Sequence, residues 1–455
     1  MVRGKQYRYK GVKVRAKIAR IIHSPFYIID VLRGAFFLFM GVGLYTICNF
    51  IFQYFLIHTW TPAEYGMFSL TITIVGLIGI CTEFNLNVTT TIILSKDVQN
   101  PKNKMILENI FIAFAILVLL NIIVTFSLSY FYNSYYPVLN VLNQYFILIW
   151  ILVITTGLTA INQGFLRAHK LMSYEAISNA GKGLFILALA AITICFFPNI
   201  LSLSHCLYIL IISQTLSLLL TILFSARTNF LDTVSGQVFN DSFAEKRLPN
   251  LHYIYKFSFF MSVLSISTAL LVSTDRLLIP YFLSDSMLGL YAGAAMIAGI
   301  PKMVAATVAT SLIPFISERN NNITEAKREY LGFFSIYNII ALAGYGLFVC
   351  LTPYLISLML PETYSQIAMI TRILLLSGFF ADIYRLNTTF AASIGMTNIL
   401  MKMNWVLIAA VVMNVGLNLI LIPLHGIDGA AMANIASFIF AGIISTVQIL
   451  NIKDV

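Results

Sequence analysis

Between Ala35 and Leu450 the sequence returns twelve times to an apolar run of about 20 residues, the length at which a helix crosses the hydrocarbon core of a bilayer. The runs are Ala35 to Ile57, Met67 to Leu94, Met105 to Phe131, Gln144 to Leu166, Ser173 to Phe197, Cys206 to Ala226, Phe257 to Phe282, Met287 to Ile316, Tyr330 to Leu351, Gln366 to Ser393, Met401 to Ile422 and Ile427 to Leu450. The connections between them are short, so no segment is left to fold as a sizeable soluble domain. A membrane β-barrel would need segments of about 10 residues with alternating polarity, whereas Ile110 to Val124 is apolar nearly throughout. The expected fold is an all-α membrane protein of twelve transmembrane helices. Composition agrees: 59% of the 455 residues are hydrophobic and only 10% are charged.

Orientation follows from Lys and Arg, which accumulate in cytoplasmic loops. The first 33 residues carry nine of them. Further groups lie at Lys96 to Lys104, Arg167 and Lys170, Arg227 to Lys256, Arg319 to Arg328, Lys402 and Lys453, all on one side if the spans alternate. The intervening connections, around Glu64, Asn140, Asn199, Asp285, Glu362 and His425, hold neither residue. Both termini are therefore expected in the cytoplasm, at the inner or plasma membrane. Of the formal charge of +10, a net +8 resides in that N-terminal stretch. With no RNA-binding aromatic motif or zinc finger beside it, the arm is expected to meet anionic lipid headgroups and not nucleic acid. It also lacks the apolar region and cleavage site of a signal peptide.

Motifs for covalent chemistry are missing from the sequence. Cys48, Cys81, Cys195, Cys206 and Cys350 show no CxxC spacing, and the six histidines form no paired ligand motif. Gly181-Lys182 lacks the upstream glycine of a phosphate-binding loop, because position 176 is Ala176. No metal, no cofactor and no catalytic residue are expected.

Two short matches point to an internal duplication. "AEYGMFSLT" at Ala63 to Thr71 answers "MLGLYAGAA" at Met287 to Ala295, placing Gly66 on Gly289 at an offset of 223. "NQGF" at Asn162 answers "NTTF" at Asn387, an offset of 225. Six spans per half is an even number, so the halves enter the membrane alike, as parallel repeats about an axis along the membrane normal. The expected organisation is a basic arm (1–34), an N-terminal lobe (35–226), a linker (227–256) and a C-terminal lobe (257–455).

"PAEYG" after the first span, "STDRLLIPYFLSDSMLGLYAGAAMI" across the seventh and eighth, and "LIPLHGIDGAAMANIAS" from Leu421 to Ser437 resemble the polysaccharide and oligosaccharide flippases of the multidrug/oligosaccharidyl-lipid/polysaccharide (MOP) superfamily. The resemblance implies two six-helix bundles around a central cavity and alternating access. It further implies a lipid-linked oligosaccharide as substrate, with other glycan-assembly proteins as candidate partners.

A charge at bilayer depth costs about 2.5–3.5 kcal/mol or more, so each one should face a cavity or a partner. The membrane charges are Glu83, Lys182, Asp275, Arg276, Lys302, Arg372, Asp382 and Arg385. Helical rise puts Lys182 about 14 Å and Lys302 about 21 Å inside their spans, near the bilayer centre. Both are expected to line a cavity and attract an anion. Arg276, Arg372 and Arg385 are further candidates for a substrate diphosphate, although Arg372 lies close enough to a span end to snorkel. Asp382 and Arg385, three apart, can pair with each other. Asp275 and Arg276 diverge by about 100° and cannot, so Asp275 needs a partner from another helix or a cation. Relatives in the superfamily couple transport to cations through membrane carboxylates. That makes Asp275, Asp382 and Glu83 candidates for coupling to Na⁺ or H⁺. Two polar pairs, Asn49 with Gln53 and Asn414 with Asn418, recur at helical spacing and suit either sugar hydroxyls or interhelical hydrogen bonds.

Two rivals to the flippase are a cation-coupled multidrug exporter of the same fold and a polymerase or glycosyltransferase. The first should have an acidic, aromatic cavity, yet five of the eight membrane charges are basic. The second should have a large catalytic loop, and the connections on the non-basic side are short.

Overall fold

The computed structural model describes residues 25–94, 103–132, 137–196, 201–226, 251–317, 323–394 and 397–452. Helices run α1 (Pro25–Thr59), α2 (Pro62–Glu83), α3 (Leu86–Leu94), α4 (Asn103–Tyr132), α5 (Pro137–Gln144), α6 (Phe146–Ala168), α7 (Met172–Phe196) and α8 (Leu203–Ser225). The second half holds α9 (Leu251–Phe282), α10 (Asp285–Ser317), α11 (Ile323–Met359), a 3-10 turn (Glu362–Ile367), α12 (Ala368–Ser393) and α13 (Thr397–Leu450). Ten helical stretches among the described residues are long and apolar enough to cross a membrane. One of them, Ile399–Leu450, is broken at Gly426 and supplies two passes, and α10 covers the expected eighth span. All twelve expected spans are therefore helical.

Differences lie at the edges. Span two is two helices: Phe84 and Asn85 take left-handed backbone conformations, and α3 continues beyond them. The short α5 was not expected. α1 begins at Pro25, inside the stretch read as arm, and α9 begins at Leu251, inside the stretch read as linker. Hydropathy marks where a helix enters lipid, not where its backbone bonds begin. The arm's residues 1–24 and the linker's 227–250 lie outside the described residues.

The duplication is visible in the element boundaries. α2 starts at Pro62 and α10 at Asp285, the 223-residue offset of the matched glycines. Their N-caps also correspond. Thr61 forms a capping box with Glu64, and Ser284 Oγ accepts from the Met287 backbone at 3.4 Å. Beyond the third span the offset becomes 225. It relates the ends of α6 and α12, the starts of α7 and α13, and the ends of α8 and α13. The turns after α6 and α12 match as well, with His169 and Ile394 in nearly the same backbone conformation.

Packing separates the halves. In the first, α1 packs on α7, α6 on α8, and α3 on α6; in the second, α12 and α9 pack on α13 and α10 on α12. The bundles meet mainly through α2, which lies against α10 and α9. Broad apolar faces stay uncovered on α4 (Ile116, Leu119, Ile123) and α11 (Ile336, Ile339, Ile340), as expected of surfaces that face lipid.

The break within α13 has a local cause. Gly426 adopts φ 62°, and a β-carbon on Gly429 would stand 2.1 Å from the Leu421 carbonyl oxygen. The "LIPLHGIDG" segment therefore folds back on itself more tightly than residues with side chains allow.

Candidate functional site

A cavity of about 440 Å³ lies between the two bundles, within the usual size of a small-molecule site. Its walls come from α1, α2, α6, α7, α8, α9 and α10. Most of the lining is apolar. The polar groups are few: Tyr45, Thr46, Asn49, Gln53, Tyr65, Ser69 and Thr156, with two cations, Lys182 from α7 and Arg276 from α9.

The Lys182 ammonium lies 4.8 Å from the centroid of the Tyr45 ring on α1, a cation–π contact. Close packing makes it possible. A β-carbon on Gly183 would stand 2.9 Å from the Tyr45 α-carbon, so the glycine beside Lys182 lets α1 and α7 touch. Gln53, one turn beyond Asn49, accepts a hydrogen bond from the Tyr65 hydroxyl at 3.1 Å.

Asp275, next to Arg276 in the chain, turns away from the cavity and is 1% exposed. Its carboxylate accepts three hydrogen bonds: from the Tyr291 hydroxyl at 2.5 Å, Asn434 Nδ2 at 2.7 Å and Asn418 Nδ2 at 2.9 Å. The donors come from α10 and from both segments of α13, so one carboxylate ties three helical segments to α9. Ser377 on α12 adds a fourth by donating to Asn434 Oδ1 at 2.5 Å. Asn418 Oδ1 and Asn414 Nδ2 are buried beside this node without a partner. The Asn414–Asn418 pair thus serves interhelical bonding and does not line the cavity, whereas the Asn49–Gln53 pair does.

The other expected site residues disperse. Lys302 is half-buried and does not line the cavity, although Gly299, Ile300 and Met303 around it do. Its side chain lies along α12, where a β-carbon on Gly378 would stand 2.7 Å from Lys302 Cε. Asp382, one turn beyond Gly378, is 1% exposed and accepts from the Tyr345 hydroxyl at 2.6 Å. The expected Asp382–Arg385 pair is not formed: Asp382 takes the neutral tyrosine from α11, and Arg385 is exposed. The two residues share a face of α12 at i,i+3 spacing, so geometry allows the pair; the Asp382 carboxylate is instead taken by the Tyr345 hydroxyl, while the Arg385 side chain extends to the exposed surface. Arg372 donates to the Val349 carbonyl oxygen at 3.4 Å, away from the cavity. Glu83 sits at the basic end of α2. Near it Arg167 grips the buried Glu175 with both Nε and Nη2, at 2.5–3.0 Å.

Sequence reading missed Tyr45, Tyr291, Asn434, Ser377 and Tyr345. All are neutral side chains on apolar helices, where charge counting does not look. Asn434 and Tyr291 do lie within two of the three quoted motifs, which is the available signal.

The family model for "Polysaccharide biosynthesis protein" matches residues 31–319. The chain belongs to this family. Its fold is that of MOP superfamily transporters. A MATE transporter mutant from Vibrio cholerae superposes with a TM-score of 0.65 at 16% identity, over 92% of this chain and 95% of that one. An inward-facing multidrug resistance MATE transporter gives 0.65 at 15% identity, over 90% and 94%. A MOP superfamily transporter from Pyrococcus furiosus, described as having a binding pocket of reverse polarity, gives 0.65 at 13% identity, over 94% and 96%. Comparison with curated proteins gives no significant match. The family membership bears out the resemblance read from the three motifs, and the chain is a multi-pass membrane protein.

Proposed function

We propose that the protein is a flippase that moves a polyprenyl-diphosphate-linked oligosaccharide across the cytoplasmic membrane by alternating access, with both termini in the cytoplasm and no covalent step. The observation that carries this reading is the pair of cations in the cavity, Lys182 from one bundle and Arg276 from the other, with no carboxylate among the lining residues. Two cations facing one space suit a compact dianionic group, which both recognise by charge-assisted hydrogen bonds. Asn49, Gln53, Ser69 and Thr156 supply hydroxyl and amide groups of the kind that meet sugars. Membership in a polysaccharide biosynthesis family supports a glycan as cargo. The multidrug alternative fits less well, because a cationic drug would enter a cavity that already holds two positive charges.

Asp275 is the best candidate for coupling to Na⁺ or H⁺. Its hydrogen-bond partners are all neutral, and the orphaned Asn418 Oδ1 beside it is an oxygen a small cation could use. Asp382, with Oδ1 unpartnered, and Glu83 remain secondary candidates.

The test is reconstitution in vesicles with a fluorescent polyprenyl-diphosphate disaccharide, scoring its arrival in the far leaflet by a glycosidase outside. Protein-dependent flipping that Lys182→Met abolishes is expected. Transport of a cationic dye with no glycolipid flipping would replace this reading by the multidrug one.

A further inference from the structure

Gly66 and Gly289 were matched as equivalent positions of a repeat, yet in the folded chain they touch. A β-carbon on Gly66 would stand 2.1 Å from the Asp285 carbonyl oxygen, and one on Gly289 would stand 1.7 Å from the Pro62 carbonyl oxygen. Asp285 is itself the repeat partner of Pro62. The contact is therefore reciprocal: each glycine receives the first carbonyl of the other's helix, as in the self-complementary interface of a two-fold dimer. The pseudo-symmetry axis of the protein passes through this crossing.

The cavity lies directly beneath it, with Tyr65 and Phe68 beside the crossing already in its lining. Ser69, Ile72 and Gly76 line one wall on α2, and Ala292, Ala295 and Gly299 line the facing wall on α10 at the same 223-residue offset. The crossing lies at the N-terminal ends of both helices, at the face opposite the basic loops. It closes that end with backbone against backbone. The nearest atoms across the crossing are backbone atoms, so this contact parts only when the helices themselves separate.

We propose that the Gly66–Gly289 crossing is the gate of the cavity at the face opposite the basic loops, with α2 and α10 as its two leaves. A transporter of this fold must expose its cavity to that face at some point, and the inference rests on that part of the functional reading alone, not on the identity of the cargo. Because the contact is symmetric, the leaves part equally about the axis. Because it is made by glycine, any side chain at either position acts as a wedge.

The experiment uses the full chain with its five cysteines replaced and one new thiol, Ser69→Cys, just beneath the crossing. A membrane-impermeant maleimide is applied from the face opposite the basic loops, with no substrate present. Labelling is expected to be slow in this parent and about tenfold faster in Gly289→Ala or Gly66→Ala, the ratio produced by about 1.4 kcal/mol of bias against the closed state. Equal rates in a folded variant would overturn the gate. Should both variants fail to fold, the protein with intact glycines decides through spin labels on Ser69→Cys and Ala292→Cys. Two separated distance populations support the gate, and a single short distance under all conditions refutes it. Faster labelling in the glycine variants, together with no glycolipid flipping by the protein with its native glycines and Ser69, would leave the gate standing and remove the substrate assignment.

Discussion

The two bundles share a backbone plan and differ in what they bury at equivalent places. In the N-terminal bundle Phe52 on α1 meets Phe68 on α2 edge to face, with ring centroids 6.1 Å apart. At the 223-residue offset the C-terminal bundle has Asp275 and Tyr291, joined by a hydrogen bond of 2.5 Å. One step along each helix the relation persists in another form, since Gln53 and Arg276 both line the cavity. The same architecture is held by ring packing on one side and by a buried carboxylate on the other. An aromatic pair suffices for stability. The carboxylate, whose burial carries a desolvation cost, therefore calls for a reason other than stability.

The sharpest way to break this comparison is Asp275→Asn. Shape and most hydrogen-bonding capacity remain while the charge goes, so glycolipid flipping in vesicles should fall to background although the protein still reaches the membrane folded. Near-normal flipping would reduce Asp275 to a structural strut like its phenylalanine counterpart. Next comes the cavity: Lys182→Met should weaken binding of a polyprenyl diphosphate by about 10- to 150-fold, the loss of one charged hydrogen bond. Lys182→Arg should recover most of it, as titration by intrinsic fluorescence would show.

Exchanging the partners tests the comparison from both sides. Tyr291→Phe should cost about 1.5–3 kcal/mol by removing a hydrogen bond to a buried carboxylate. The reciprocal Phe68→Tyr should cost about 1–3 kcal/mol by placing a hydroxyl in an apolar cluster. Unfolding midpoints in detergent would measure both, and a neutral Phe68→Tyr would show that the N-terminal bundle retains a latent polar site. The smallest effect is expected at Arg385→Ala, where the exposed side chain makes no ion pair with Asp382. Stability should move by no more than about 0.5 kcal/mol and flipping should not change.

What the sequence makes legible follows from the bilayer. Apolar run length sets the number and approximate position of the spans, because the hydrocarbon core admits only helices and closed barrels and the runs are too long and too evenly apolar for barrel strands. Short matches around Gly66 and Asn162 locate the repeat. Position along a helix is equally readable, and it places Lys182 and Lys302 at similar depth. The angle around the helix is not. Lys182 faces the cavity and Lys302 turns to α12, a difference decided by neighbours such as Gly183 and Gly378 that another helix must occupy. The Asp275 node illustrates the same limit: the need for a partner was readable, whereas the choice of Tyr291 and Asn434 depended on how α10 and α13 pack.

The placement of Lys182 and Arg276 has an electrical consequence. The empty cavity carries two positive charges without a lining carboxylate, whereas a cavity holding a dianion is close to neutral. Carrying one elementary charge across a full transmembrane potential is worth about 2.3 kcal/mol per 100 mV. For the proposed diphosphate cargo, a rearrangement that sweeps the cavity through part of that field is therefore voltage-dependent when the protein is empty and nearly indifferent to voltage when it is loaded. The membrane potential then acts chiefly on the return step.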